Sequence, residues 1–147
     1  SIVSAEAYEV HRAMMADRRD VYDPYVAARL AGGADISAAD YIAMTRERAA
    51  TCAPVQAVTR PYDALLLPTT PAVPLPLDGM EGIETLMKAS ARILRNTALS
   101  NYLDRPAITM PCHTPAAAPV GLSLMGSRGH DRRLLAIAAG IEPVVRI

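Results

Sequence analysis

The sequence predicts an α/β fold, with helices covering a mostly parallel or mixed β-sheet. Two observations carry this. Residues 4–58 repeat apolar side chains at helical spacing, and from 62 to 142 short apolar runs alternate with helical stretches. A third observation bounds it: 147 residues, 51% hydrophobic and 20% charged, suit one globular domain rather than a disordered chain.

The elements follow in order. Ser4 is placed to cap a first helix that carries Tyr8, His11, Met14 and Met15 on one face. Asp23-Pro24 breaks the pattern, and Pro24 opens a short helix from Tyr25 to Leu30. Gly32-Gly33 ends it with residues that tolerate a left-handed backbone. Ser37 and Asp40 resemble a capping box for a third helix, which Pro54 is expected to kink or end. Tyr62 to Pro68 reads as a buried strand. Four prolines between Pro68 and Pro76 exclude a helix interior or a central strand there. A helix is expected from Glu81 to Leu94, strands at Pro106–Pro111 and Val120–Gly126, and a loop at Pro115–Pro119. Asp131 is placed to cap a last helix with Leu134, Leu135, Ala138 and Ile141 inward.

Composition narrows the function. Fifteen basic residues balance fifteen acidic ones, so nothing marks a nucleic-acid partner or an anionic membrane surface. No apolar run reaches the roughly 20 residues of a membrane span, and the first residues lack the pattern of a signal peptide. A cytoplasmic location with reduced Cys52 and Cys112 is expected. With no Phe or Trp, the core must be built from Ala, Leu, Ile, Val and Met. Three strands are few for such a sheet, so it is expected to continue in residues beyond this sequence.

A self-contained catalytic set is missing. Cys112 and His113 are adjacent, and in an extended segment they point to opposite faces. His11, His113 and His130 show no metal-ligand spacing. No serine sits in a Gly-flanked elbow, and Lys88, the only lysine, is expected to be solvated. The remaining polar signals are local. Thr69-Thr70 follow a strand directly, where open α/β sheets gather ligands, although the loop also reads as a stiff connector. Arg95-Asn96-Thr97 and Asn101 read as caps and turn residues or as pocket-lining donors, and Arg29 as a helix C-terminal charge.

These pieces together resemble the amidase signature family. Tyr62-Asp63-Ala64-Leu65-Leu66-Leu67-Pro68-Thr69-Thr70-Pro71 is similar to its "D-x-x-L-x-P-T-x-P" strand and loop. Asn96-Thr97, Asn101 and Arg105 to Pro111 resemble its "N-x-x-G-x-P-A-x-x-x-P" segment, with Asp104-Arg105 where a glycine often precedes the proline. Pro119 to Gly126 resembles its "P-V-G-L-Q-L-x-G" strand. Arg29 to Gly33, Asp40-Tyr41 and Arg46 to Arg48 look like the helical region before them.

The resemblance is to the C-terminal portion of the family. It implies that residues 1–147 form part of a single α/β/α domain around a mixed sheet, its N-terminal catalytic part absent. Family members cleave amides to a carboxylate plus ammonia or an amine with a Ser–cis-Ser–Lys triad. That triad lies upstream of the matched region, and no Ser-Ser pair occurs here. The resemblance therefore implies no catalytic residue, metal or cofactor in this chain, and no turnover by the chain alone. It implies that Thr69, Thr70 and Pro71 approach the substrate, with Asn101 nearby. Arg29 matches a position that holds a substrate carboxylate in glutamine-using relatives. The expected partners are a small-molecule amide and the N-terminal catalytic part, with a homodimer left open. Two other readings stand beside this one. One is an ammonia-delivering amidotransferase subunit, although Ile93-Leu94-Arg95 lacks the acid those relatives carry. The other is a non-catalytic module that docks its Pro-rich loop in a partner groove.

Overall fold

The computed structural model describes residues 1–145; the last two positions of the expected domain lie outside the described residues. The class is α/β. The helices are α1 (Ile2–Asp17), α2 (Pro24–Ala31), α3 (Ala38–Thr59), α4 (Ile83–Tyr102) and α5 (Asp131–Val145). The strands are β1 (Leu65–Pro68), β2 (Ala107–Pro111) and β3 (Gly121–Met125). The chain divides into two compact units, one ending at Ala50 and the other beginning at Thr51.

In the first unit the cap of α1 lies three residues before the expected one. Ser1 is the N-cap, its Oγ accepting from the Ser4 backbone N–H at 3.3 Å. Asp23 caps α2 by accepting from the N–H groups of Tyr25 and Val26 at 2.9 and 3.1 Å, with Pro24 in the first turn as expected. Gly32 closes α2 with right-handed dihedrals (φ −62°), so the left-handed stop is not used. Close approach explains Gly33 instead. A Cβ there would lie 2.6 Å from Tyr8 Cβ and would clash with the Ser4 carbonyl oxygen. Ser37 Oγ accepts from Asp40 N at 3.1 Å and donates to Asp40 Oδ2 at 2.6 Å. This is a variant of the expected box, because the shorter Asp turns to the hydroxyl.

Tyr41 donates to Glu6 Oε1 at 2.8 Å. That hydrogen bond and the carboxylate's charge raise the phenol's pKa above its ordinary 10.0. The neutral phenol is thus favoured by folding. Its contribution is complete below the unfolded value and is lost as pH rises through the folded one. Glu6→Gln is expected to bring the phenolate absorbance titration of this tyrosine, isolated by difference from Tyr41→Phe, back down toward 10.0. An unchanged titration would remove Glu6 as the cause.

Pro54 does not end α3, which continues to Thr59. Losing one N–H and crowding the preceding turn costs about 3 kcal/mol. Anchoring beyond it opposes that cost: the Arg105 guanidinium, almost fully buried, donates to the Thr59 hydroxyl and reaches the Val55 carbonyl at 3.5 Å.

The three strands pair antiparallel in the order β1-β3-β2, where parallel or mixed pairing was expected. The proline-bearing β1 lies at one edge, where a missing N–H is tolerated. β3 is central and alternates cleanly between faces. Leu122 and Leu124 turn to α5, where Leu124, Met110, Leu134 and Ala138 form the buried core. Leu135 departs from expectation at 57% exposed, whereas Ile141 packs against that core. α4 runs eight residues past the expected end at Leu94, because neither Gly nor Pro interrupts it. Asn96, Thr97 and Asn101 are therefore helical residues, not caps or turns. Asp104 follows with φ 55°, in the region glycine favours and Asp tolerates. No helix among the described residues is long and apolar enough to cross a membrane.

Candidate functional site

On the face of β3 away from α5, Ser123 and Met125 point toward α4. Strand period dictates the arrangement: residues two apart share a face. Register places Leu67 and Thr109 on either side of Ser123, and Ala107 beside Met125. Thr69 follows directly after β1, its N–H donating to the Gly121 carbonyl at 2.9 Å. From α4, Asn96, Thr97, Ser100 and Asn101 form one helical stripe. Together these residues line a cavity of about 230 Å³.

Three hydroxyls close a ring in its floor. Thr69 donates to Thr109 at 3.1 Å, Thr109 and Ser123 lie 2.8 Å apart, and Ser123 and Thr69 lie 2.9 Å apart. The ring satisfies Ser123, which is buried in the middle of the sheet. It also explains Gly121, whose added Cβ would fall 2.7 Å from both Thr109 Cγ2 and Thr69 Oγ1. Asn96 Nδ2 donates to the Pro68 carbonyl at 2.8 Å and ties α4 to the start of the Pro-rich loop.

The sequence-derived candidates part company. Thr69 and Asn101 line the cavity. Thr70 does not; its hydroxyl donates to the Ala72 carbonyl at 2.8 Å and shapes the loop. Pro71 is half-buried outside the lining. Arg29 belongs to the first unit, where its guanidinium stacks 5.7 Å from the Tyr25 ring centroid. Thr109, Ser123 and Ser100 are added by the structure. A polar residue inside an apolar strand run was the available signal for Ser123 and Thr109.

Cys112 and His113 do not diverge as an extended segment would require. Both side chains turn back on Val120: Sγ reaches its carbonyl at 3.6 Å, and Nδ1 lies 3.2 Å from its N–H. The Val120 carbonyl accepts from Cys112 N at 3.0 Å and lies 3.1 Å from His113 Nδ1, which donates to it or accepts from Val120 N–H according to the ring's tautomer. The pair closes the loop between β2 and β3. Lys88 is exposed and pairs with Glu84 at 2.6 Å, as a solvated lysine does. No cluster of metal-ligating side chains occurs among the described residues.

A family model described as Amidase matches residues 2–135. Over 124 residues the chain is 36% identical to 2-amino-5-chloromuconic acid deaminase of Comamonas testosteroni, covering 84% of this chain and 27% of that protein. A crystal structure of an amidase superposes with a TM-score of 0.80 at 26% identity, over 97% of this chain and 33% of its own. Kluyveromyces lactis allophanate hydrolase gives 0.83 at 24% identity, over 99% and 24%, and so shares the fold. The chain spans about a quarter of the length of the deaminase it matches.

Proposed function

The chain belongs to the amidase family, and from that premise we propose that it is the C-terminal portion of an amide hydrolase. It supplies core strands and one wall of the substrate pocket to a single α/β/α domain. The nucleophilic serine, its partner serine and the lysine belong to an N-terminal part. In the complete enzyme the serine attacks the amide carbonyl, ammonia or an amine departs, and water releases the carboxylate. Backbone donors hold the oxyanion.

One observation carries this reading. The Pro-Thr-Thr-Pro loop and the asparagine segment are 28 residues and more apart in sequence, yet Thr69 and Asn101 line one cavity. The partners are then a small-molecule amide and the N-terminal catalytic part. An ammonia-delivering amidotransferase gains less support, since no acidic side chain lines that cavity.

The assignment of roles is tested on the purified chain. It is expected to release no ammonia from a panel of aliphatic and aryl amides, and to take up no serine-directed fluorophosphonate. Stoichiometric labelling of any of its serines would overturn the division of labour.

A further inference from the structure

We propose that the second unit carries a binding site for a phosphate dianion, where the end of α3 meets the loop between β3 and α5. Arg60, Arg128, His130 and Arg133 line a cavity of about 270 Å³ there. All four belong to the unit that begins at Thr51. The antiparallel register sets the position: Leu65, the first residue of β1, pairs with Met125, the last of β3. Thr69 lies at the other end of this strand pair, beside Gly121. The two cavities share no lining residue.

Charge sets the class of ligand. Three guanidiniums line the cavity, and among the described residues Asp63 is the one acid beside them. Arg133 Nη2 pairs with Asp63 Oδ1, and Asp104 Oδ2, outside the cavity, holds Arg128 Nε at 2.7 Å. A guanidinium has five N–H donors, and each of these pairs engages one nitrogen, so donors remain on both arginines. The carboxylates therefore hold two guanidiniums in place without exhausting them. Among the described residues the Arg60 guanidinium and the His130 ring have no hydrogen-bond or ion-pair partner. An added anion satisfies them.

Geometry narrows the class to phosphate. The arginines come from three segments: Arg60 follows the last residue of α3, Arg128 stands in the loop after β3, and Arg133 is in the first turn of α5. A planar guanidinium fork takes two oxygens of one anion. A tetrahedral dianion presents oxygen pairs in several directions, so forks from different segments can each take one. A monocarboxylate has one plane and one charge, and satisfies one fork. The cluster is open to water, where a single ion pair contributes little. Convergence of several forks on one doubly charged centre offsets that screening. The Tyr62 ring, 63% exposed, belongs to the same lining and gives the body of a phosphate monoester an apolar surface.

The test titrates the 147-residue chain at low salt and follows its backbone amide and arginine Nε–H signals by NMR. Inorganic phosphate, phenyl phosphate and acetate are the probes. Both phosphates are expected to shift the Arg60 and Arg133 side chains and the amides of residues 127–133, and to leave the Thr69 amide in place. Acetate is expected to bind about tenfold more weakly than either phosphate. Tighter binding of phenyl phosphate assigns the site to an organic monoester lying on Tyr62, and equal binding assigns it to the free ion. Arg60→Gln removes an exposed side chain without a partner, and is expected to weaken phosphate binding about tenfold. Arg92→Gln removes the same charge from α4, outside the cavity, and is expected to weaken it by about twofold or less. No binding of either phosphate, acetate binding as tightly as phosphate, or equal losses in the two variants would overturn the site. None of these readouts requires amide turnover.

Discussion

Leu124→Ala is expected to destabilise the chain by about 2–5 kcal/mol, with the urea unfolding slope unchanged. Leu124 is fully buried at 0% exposure, in the centre of the middle strand. It packs with Met110 of β2 and with Leu134 and Ala138 of α5. Truncation removes apolar surface from three elements at once. The neighbours are held on β2 and α5, so they close only part of the gap. A domain of this size is commonly stable by about 5–15 kcal/mol, so the loss is a large share of the total. Equilibrium unfolding in urea measures it. A loss below about 1 kcal/mol would mean that α5 is not seated on β3 in the way described.

Gly121→Ala is expected to be the most damaging small change at the site. Its Cβ would sit 2.7 Å from Thr69 Oγ1 and 2.7 Å from Thr109 Cγ2. Neither obstacle is the end of a flexible side chain. Threonine is stiff at χ1, and turning either one away opens the hydroxyl ring. Overpacking of this kind costs about 1–3 kcal/mol. The ring also loses its order, so the fall in stability and the loss of its three hydroxyl contacts are expected together. Thr109→Ser removes the obstructing Cγ2 and keeps the hydroxyl. In the Gly121→Ala background it is expected to recover part of the loss. Strict additivity of the two changes in a double-mutant cycle would show that they share no clash.

Much of this architecture was legible in the residues. Strand and helix alternation after residue 60 rests on run lengths and proline punctuation, and these survive in the structure as β1, β2, β3 and α5. Pro24 and Ser37 mark helix starts because their local chemistry acts within one turn. Tertiary contacts were less visible. Nothing near Pro54 announces that Arg105, fifty residues on, holds the turn after it. The extension of α4 through Asn96 and Asn101 reflects the absence of a breaker, a weaker signal than its presence.

The candidate site divides the same way. Thr69 and Asn101 are reachable from sequence because each stands in a motif next to a strand or its lead-in. Ser123 and Thr109 stand out as polar residues in apolar runs, but it is pairing across β3 that aligns them. Antiparallel pairing itself could not be read from three short runs, because the run pattern does not encode strand direction. Gly33 and Gly121 show a similar limit. Their reason is the close approach of distant side chains and carbonyls, which spacing alone does not reveal.

A chain that supplies a pocket wall to an amide hydrolase whose nucleophile lies elsewhere should complete the active site of a relative that carries that nucleophile. The most direct measurement grafts residues 2–135 in place of the matching segment of the Comamonas deaminase. Ammonia release from that protein's own substrate is then followed with and without Thr69→Val in the graft. A folded, active graft is expected, in which Thr69→Val lowers kcat/KM about tenfold, near 1.4 kcal/mol of transition-state stabilisation. A folded graft without activity, or one indifferent to Thr69→Val, would contradict it.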